Sequence, residues 1–193
     1  LKNAVWLGNK GEMTNIAVSD CEVISCANAF KIGTETTFDI SNVTIKNCRF
    51  YMTDIYPGTV SGIAIESADG AKVHDITAEN IYMNRVTCPV FIRLCNRNRA
   101  STVDTESANA VEFGKKKKKA KSAPKDMFYQ KGEVYNINIS SVNAENVEIP
   151  VIIAGYKQQN NVFCVRNVTL KDFKINYAPY KEVYDKRIFV PEY

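Results

Sequence analysis

The stretch Ser41-Asn42-Val43-Thr44-Ile45 decides the fold, because four variants of it recur along the chain. Each variant places an Asn or Asp before alternating apolar and polar residues: Thr14-Asn15-Ile16-Ala17-Val18, His74-Asp75-Ile76-Thr77-Ala78, Tyr135-Asn136-Ile137-Asn138-Ile139 and Arg166-Asn167-Val168-Thr169-Leu170. The Asn/Asp positions lie 27 (15 to 42), 33 (42 to 75), 61 (75 to 136) and 31 (136 to 167) residues apart. This self-similarity indicates stacked repeats, since one repeat cannot bury its apolar face alone.

The repeats have the composition and alternation of half-buried β-strands, being rich in Val, Ile and Thr at period 2. A second short apolar strand is predicted after most of them, at residues 29–32, 62–65, 89–94 and 150–154. Turn residues lie between the strands, and no stretch has the periodicity of a helix. The pattern therefore predicts an all-β fold, and specifically a right-handed parallel β-helix. We expect the Asn/Asp side chains to stack from turn to turn and satisfy backbone groups at the bend. A β-sandwich also has many short strands but does not explain a repeated phrase.

The 61-residue step is too long for one turn and contains the lysine run Lys115–Lys119. We interpret residues 96–131 as a long loop inserted into one turn. Residues 1–177 then form the β-helix, and the aromatic segment 178–193 breaks the repeat and is expected to cap the last turn.

Composition is that of one globular unit, with 193 residues, 45% hydrophobic residues and a net charge of +4. Without the five lysines of the run the balance is +4 minus 5, or −1, so the charge says little about partners. The run has no interleaved aromatics, which favours a solvated loop over a nucleic-acid site. No stretch approaches the roughly 18 to 20 apolar residues of a membrane span. The first residues resemble neither a signal peptide nor a natural start, so we expect a piece of a longer chain.

Six cysteines match no zinc-binding spacing and form no CxxC. Cys21 and Cys48 each follow a repeat asparagine by six residues (15 to 21, 42 to 48), where other repeats have Ile81, Val142 and Phe173. This equivalence favours stacked core residues over disulfides.

A series of phrases follows in order along about residues 13–177, chiefly Phe30-Lys31-Ile32-Gly33-Thr34-Glu35-Thr36, Gly62-Ile63-Ala64-Ile65-Glu66 with Asp69-Gly70, and Pro89-Val90-Phe91-Ile92-Arg93-Leu94 with Asn96-Arg97. This series resembles the C-terminal half of glycoside hydrolase family 28, the polygalacturonases and rhamnogalacturonan-acting relatives. It implies a partial β-helix of the pectin-lyase-like kind and a secreted, extracellular or periplasmic monomer. It also implies cofactor-free, inverting hydrolysis of galacturonosyl or related linkages in pectin by carboxylic acids about 6.5–9.5 Å apart.

The chain departs from the family at its catalytic motifs. Asn28 stands where the family has a histidine, and Glu66 reverses the charge of the family's uronate-binding Arg-Ile-Lys strand. The family's Asn-x-Asp and Asp-Asp motifs are not readable here. One explanation is a divergent hydrolase whose acids lie upstream. The other is a non-catalytic polysaccharide-binding β-helix or adhesin.

Outward residues on successive turns would form a row along a polysaccharide groove. The candidates for substrate binding are Lys31, Glu35, Glu66, Asp69, Arg93, Asn96 and Arg97, and Glu35 is also a catalytic candidate. Arginine offers a planar fork for a uronate carboxylate. The alternative is an outer-face ion-pair ladder of Lys31, Glu35, Glu66 and Arg93, at about 0 to 1 kcal/mol per pair.

The single histidine and the acidic residues give no sign of a triad or a metal site. His74 occupies a position that varies among the repeats, which predicts a surface turn, and no Ser or Cys nucleophile accompanies it. No acidic cluster resembles a calcium loop, so no metal is expected.

Overall fold

The computed structural model describes residues 11–52, 60–96 and 131–178, and these residues form thirteen strands and no helix. The strands are β1 (Glu12–Met13), β2 (Ile16–Ser19), β3 (Glu22–Ile24), β4 (Asn28–Ile32), β5 (Asp39–Tyr51), β6 (Ser61–Ser67), β7 (Lys72–Asn84), β8 (Cys88–Leu94), β9 (Glu133–Val147), β10 (Ile152–Ala154), β11 (Tyr156–Gln158), β12 (Asn161–Phe163) and β13 (Arg166–Tyr177). The all-β class is therefore confirmed.

Two parallel sheets contain most of the strands. The large sheet has the order β1-β5-β7-β9-β13, with β2 and β3 also paired to β5. The small sheet has the order β10-β8-β6-β4, and β11 and β12 form a separate antiparallel pair. From β4 to β10 the strands of the large and small sheets alternate along the chain.

The repeated phrases pair with one another in register across the large sheet. The first apolar residues of the five phrases are consecutive partners: Ile16, Val43, Ile76, Ile137 and Val168. The predicted second strands are likewise found as β4, β6, β8 and β10. The equivalence of the repeated phrases therefore predicts the register of the strands as well as their positions.

The predicted stack of Asn and Asp side chains is confirmed at the start of the phrases. Asn42 Nδ2 donates to Asn15 Oδ1 at 2.5 Å, Asn136 Nδ2 to Asp75 Oδ1 at 2.9 Å, and Asn167 Nδ2 to Asn136 Oδ1 at 3.1 Å. All five residues have φ between 48° and 59°, in the left-handed region that Asn and Asp tolerate best. These bonds join side chains to side chains, whereas we expected partners on the backbone.

A second line of bends, which the sequence analysis missed, follows the first by five residues (15 to 20, 42 to 47, 75 to 80). Asn47 Nδ2 donates to Asp20 Oδ1 at 3.1 Å, and Asn80 Nδ2 donates to Asn47 Oδ1 at 2.8 Å. These three residues also have positive φ, between 53° and 56°. Each long strand of the large sheet is therefore bent at fixed points.

The core lies between the inner faces of the two sheets. Ile32, Ile65 and Ile92 are consecutive register partners in the small sheet, and each is fully buried. Side chains of the large sheet, among them Ile76 and Ile137, belong to the same cluster. Burial of such side chains stabilises the fold by about 1.5–3 kcal/mol each.

The predicted cysteine row is confirmed. Cys48 faces Ile81, which faces Val142, which faces Phe173. Cys48 is buried at 1% exposure and Cys21 packs against the same core. All six cysteines are free thiols, and burial raises the pKa of the Cys48 thiol. Cys21 and Cys48 act as small apolar side chains, as we expected.

Two predicted segments lie outside the described residues: all but the ends of the 96–131 insertion, and the capping segment apart from Ala178. Within the described part of the chain, no helix has the length and apolarity that crossing a membrane requires.

Replacing Asn136 with alanine tests the bends. We expect Asn136→Ala to lower the free energy of unfolding by about 1–3 kcal/mol, because it removes two side-chain bonds and disfavours φ of +56°. Glycine adopts positive φ without strain, so Asn136→Gly should lower the free energy of unfolding by less than Asn136→Ala does. Exposed Asn138, on the same strand, is the control, and Asn138→Ala should change stability by less than about 0.5 kcal/mol. Urea unfolding measures all three, and equal losses at 136 and 138 would contradict the prediction.

Candidate functional site

Three of the predicted site residues lie on the outer face of the small sheet. Lys31, Glu66 and Arg93 alternate along β4, β6 and β8 with the buried row Ile32, Ile65 and Ile92. Because successive side chains of a strand point to opposite faces, the isoleucines fix the orientation of the charged residues.

The Glu66 carboxylate joins the two cations. Its Oε1 lies 2.9 Å from Lys31 Nζ, and its Oε2 lies 2.7 Å from Arg93 Nη2. Glu66 itself is buried at 4% exposure, whereas the side chains of Lys31 and Arg93 are 34% and 21% exposed. The predicted ion-pair ladder is therefore present for these three residues, but it centres on a buried carboxylate rather than on exposed surface pairs.

The three residues do not form one straight row. Glu66 and Arg93 are register partners, but Lys31 is paired with Ala64, two residues before Glu66. The Lys31 side chain therefore reaches Glu66 diagonally across the sheet. Long side chains make such diagonal contacts readily.

Gly33, the residue after β4, allows the close approach of Glu66. A Cβ on Gly33 would lie 2.2 Å from the Glu66 backbone oxygen, and Gly33 has a φ of +99°. A side chain would clash at this position and strain the backbone. The sequence analysis quoted Gly33 only for its family resemblance and missed this packing role.

An aromatic ring supports the arginine. Phe91 is two residues before Arg93 on β8, on the same face, and the Arg93 Cζ lies 5.6 Å from its ring centroid. The Arg93 Nε is buried, and no hydrogen-bond partner for it occurs among the described residues. Phe91 could have been found from its alternation with Val90 and Ile92, yet it was not among the predicted site residues.

The other predicted residues follow the strands of the small sheet. Glu35 follows β4 and is exposed, Asp69 follows β6 and is buried at 7% exposure, and Asn96 follows β8 and is half-buried. Since the carboxyl ends of parallel strands meet at one edge of a sheet, the three residues lie along the same edge. Arg97, the last predicted residue, lies outside the described residues.

A tight turn positions Asp69. The Ser67 hydroxyl donates to the Ala71 carbonyl oxygen at 2.6 Å, and Gly70 has a φ of +97°. The Ala71 amide donates to the Thr36 carbonyl oxygen at 3.2 Å, which ties this turn to the segment after β4. One side-chain bond thus closes the turn that carries Asp69, and one backbone bond connects this turn with the segment that carries Glu35.

His74 lies away from this site, on the large sheet. Its ring stacks on Tyr135 with centroids 4.7 Å apart, and its Nδ1 is 2.7 Å from Asp75 Oδ2. Hydrogen bonds from Asn136 and from His74 lower the pKa of Asp75. The histidine is a half-buried member of a stack, so the predicted surface turn was only partly right.

No group of three His, Cys, Asp or Glu side chains in the described residues is placed to hold a metal ion. The chain matches no protein-family model, no curated protein and no solved structure.

Removing the Glu66 charge tests the ion-pair cluster. We expect Glu66→Gln to lower the free energy of unfolding by about 1–3 kcal/mol, because two partly buried cations lose their partner. The control is Glu79→Gln, whose exposed pair with Lys46 at 3.1 Å should contribute less than about 1 kcal/mol. Chemical unfolding of both variants measures the difference, and an equal or smaller loss at Glu66 would contradict the structural role.

Proposed function

We propose that the two parallel sheets are walls of a right-handed parallel β-helix. The alternation of large-sheet and small-sheet strands along the chain supports this winding, because each strand pairs with its counterpart one repeat away. The core shared by the two sheets favours it too. The hand follows from the general rule that crossovers between parallel strands are right-handed.

We propose further that the chain is part of a glycoside hydrolase acting on pectic polysaccharide, of the kind found in glycoside hydrolase family 28. The observation that carries this proposal is the outer face of the small sheet. There Arg93 lies over Phe91, and the strands end at the edge with Glu35, Asp69 and Asn96. A polysaccharide lying across successive strands would meet these groups one after another.

Each residue type suits a part of a uronate chain. Phe91 offers an apolar ring to the C–H face of a sugar, and Arg93 and Lys31 offer positive charge to its carboxylate. Inverting hydrolysis needs a protonated acid and a water-activating carboxylate about 6.5–9.5 Å apart, and no cofactor. Of the described candidates, Glu35 is exposed at the sheet edge, and we propose it as a catalytic acid.

The resemblance to family 28 also underlies our proposals for location and assembly. The protein is proposed to act as a monomer in an extracellular or periplasmic setting. Its partner is the polysaccharide.

A second candidate function is polysaccharide binding without hydrolysis. The observation that favours it is the engagement of both Lys31 and Arg93 by Glu66. A buried carboxylate that already pairs with two cations weakens their attraction for a uronate. A binding β-helix or adhesin needs only the shaped surface, and no pair of catalytic acids.

Reducing-sugar release from polygalacturonate and rhamnogalacturonan distinguishes the two functions. In the hydrolase proposal the partner acids of Glu35 lie upstream, so the upstream-extended protein should release reducing sugar. Glu35→Gln should lower that release at least a hundredfold, since general acid–base groups contribute about 10²–10⁴-fold. Retention of polygalacturonate in affinity electrophoresis without any release by the extended protein supports the binding function and overturns the hydrolase. The absence of both release and retention would contradict both functions.

Replacing Arg93 tests whether the outer face of the small sheet binds the polysaccharide. We expect Arg93→Ala to weaken polygalacturonate retention about tenfold, because a charge-assisted contact is lost. The control is Lys171→Ala, which removes a 71% exposed cation on β13. Equal weakening by both variants would indicate nonspecific attraction and contradict the assigned groove.

A further inference from the structure

A second cluster of aromatic and polar side chains lies on the outer face of the large sheet. It consists of Arg49 and Tyr51 on β5, Tyr82 and Asn84 on β7, and Glu145 on β9, which we call the tyrosine platform. Arg49 faces Tyr82 in register, and Tyr51 faces Asn84, which faces Glu145. None of these residues belongs to the small-sheet site.

The two tyrosines present rings at an angle to each other. Their ring centroids are 5.9 Å apart and the ring planes are inclined by 60°. The Arg49 Cζ lies 6.0 Å from the Tyr82 centroid. A hydrogen bond with the Tyr51 side chain raises the pKa of Arg49.

Polar contacts hold the Tyr82 ring in place. The Tyr82 hydroxyl donates to Glu145 Oε2 at 3.1 Å, and Asn84 Nδ2 donates to the same hydroxyl at 3.2 Å. Asn84 Oδ1 in turn accepts from Asn146 Nδ2 at 3.2 Å. The platform is therefore preorganised, which reduces the entropy that binding must overcome.

Among the described residues, the platform is partly accessible and has an exposed apolar neighbour. Both tyrosines are half-buried, Arg49 is exposed, and Ile24, the register partner of Tyr51 on β3, is 53% exposed. The platform combines apolar ring faces with a guanidinium, an amide and a carboxylate. This mixture fits a ligand that has both a C–H face and hydroxyl groups, whereas Glu145 opposes a ligand rich in phosphate.

We propose that the tyrosine platform is a second carbohydrate-binding surface, which takes a pyranose unit of a polysaccharide. The tyrosine rings stack on the C–H face of the sugar, and Arg49, Asn84 and Glu145 bond its hydroxyl groups. The proposal shares its ligand class with the proposed function but does not depend on hydrolysis. It gives the protein two carbohydrate contacts on different sheets, which would hold a polymer more firmly than one contact.

Amide chemical-shift mapping of the full chain tests the proposal. The probes are oligogalacturonate and a neutral galacto-oligosaccharide, each titrated separately. We expect saturable shifts at the amides of β5 and β7 around Arg49 and Tyr82 with at least one probe. Tyr51→Ala should weaken this binding about tenfold, since the stacking surface of one ring is lost. Arg49→Ala should weaken it too, and Tyr82→Phe, which keeps the ring, should weaken it less than Tyr51→Ala.

The matched control is Tyr135→Ala, another half-buried tyrosine on the same sheet but outside the platform. Thermal unfolding of every variant identifies any that fails to fold. The absence of platform shifts with both probes, or equal weakening by Tyr135→Ala, would overturn the proposal. Platform shifts without reducing-sugar release leave this proposal standing while the hydrolase fails, and release without platform shifts does the reverse.

Discussion

The left-handed bends at the repeated Asn and Asp residues are the constraint on which the rest of the structure depends. A residue with a β-carbon pays about 1–2 kcal/mol in this conformation, and Asn and Asp offset it with short polar side chains that hydrogen-bond locally. Here those side chains bond to the equivalent residue of the next repeat, as Asn136 does with both Asp75 and Asn167. Where such a bond forms, the bend helps to fix the register of its strand against the neighbouring strand, and this register aligns the apolar residues of successive repeats.

The register of the small sheet determines the electrostatics of the candidate site. Pairing of Glu66 with Arg93 and the close approach of Gly33 place the carboxylate in a buried position between two cations. Burying a carboxylate without partners costs several kcal/mol, and Lys31 and Arg93 offset this cost. Stability and the proposed uronate binding would thus compete for the same cations. Glu35 follows β4 at the edge of the sheet and is exposed, which is why the hydrolase proposal places its acid there.

Period and alternation in the sequence predicted the strands, their pairing and the cysteine row, because these depend on local residue type and on equivalence between repeats. Burial of Glu66 was not predictable in this way. The phrase Gly62–Glu66 resembles an ordinary alternating strand, and every residue of β6 is buried in the structure. The second line of bends was detectable in principle, since Asp20, Asn47 and Asn80 recur five residues after the first line. The tyrosine platform was not, because its residues come from three strands and share no sequence phrase.

Directed disulfide formation between β7 and β9 measures the register of the large sheet most directly. Thr77 and Asn138 are register partners on β7 and β9, although 61 residues separate them (77 to 138). Parallel neighbours lie about 4.8 Å apart, within the Cα range of disulfides. In Thr77→Cys/Asn138→Cys, mass spectrometry should find a cross-link between positions 77 and 138 under mild oxidation. Thr77→Cys/Ser140→Cys, offset by two residues, should give little. Equal yields, or a preference for the offset pair, would contradict the repeat register.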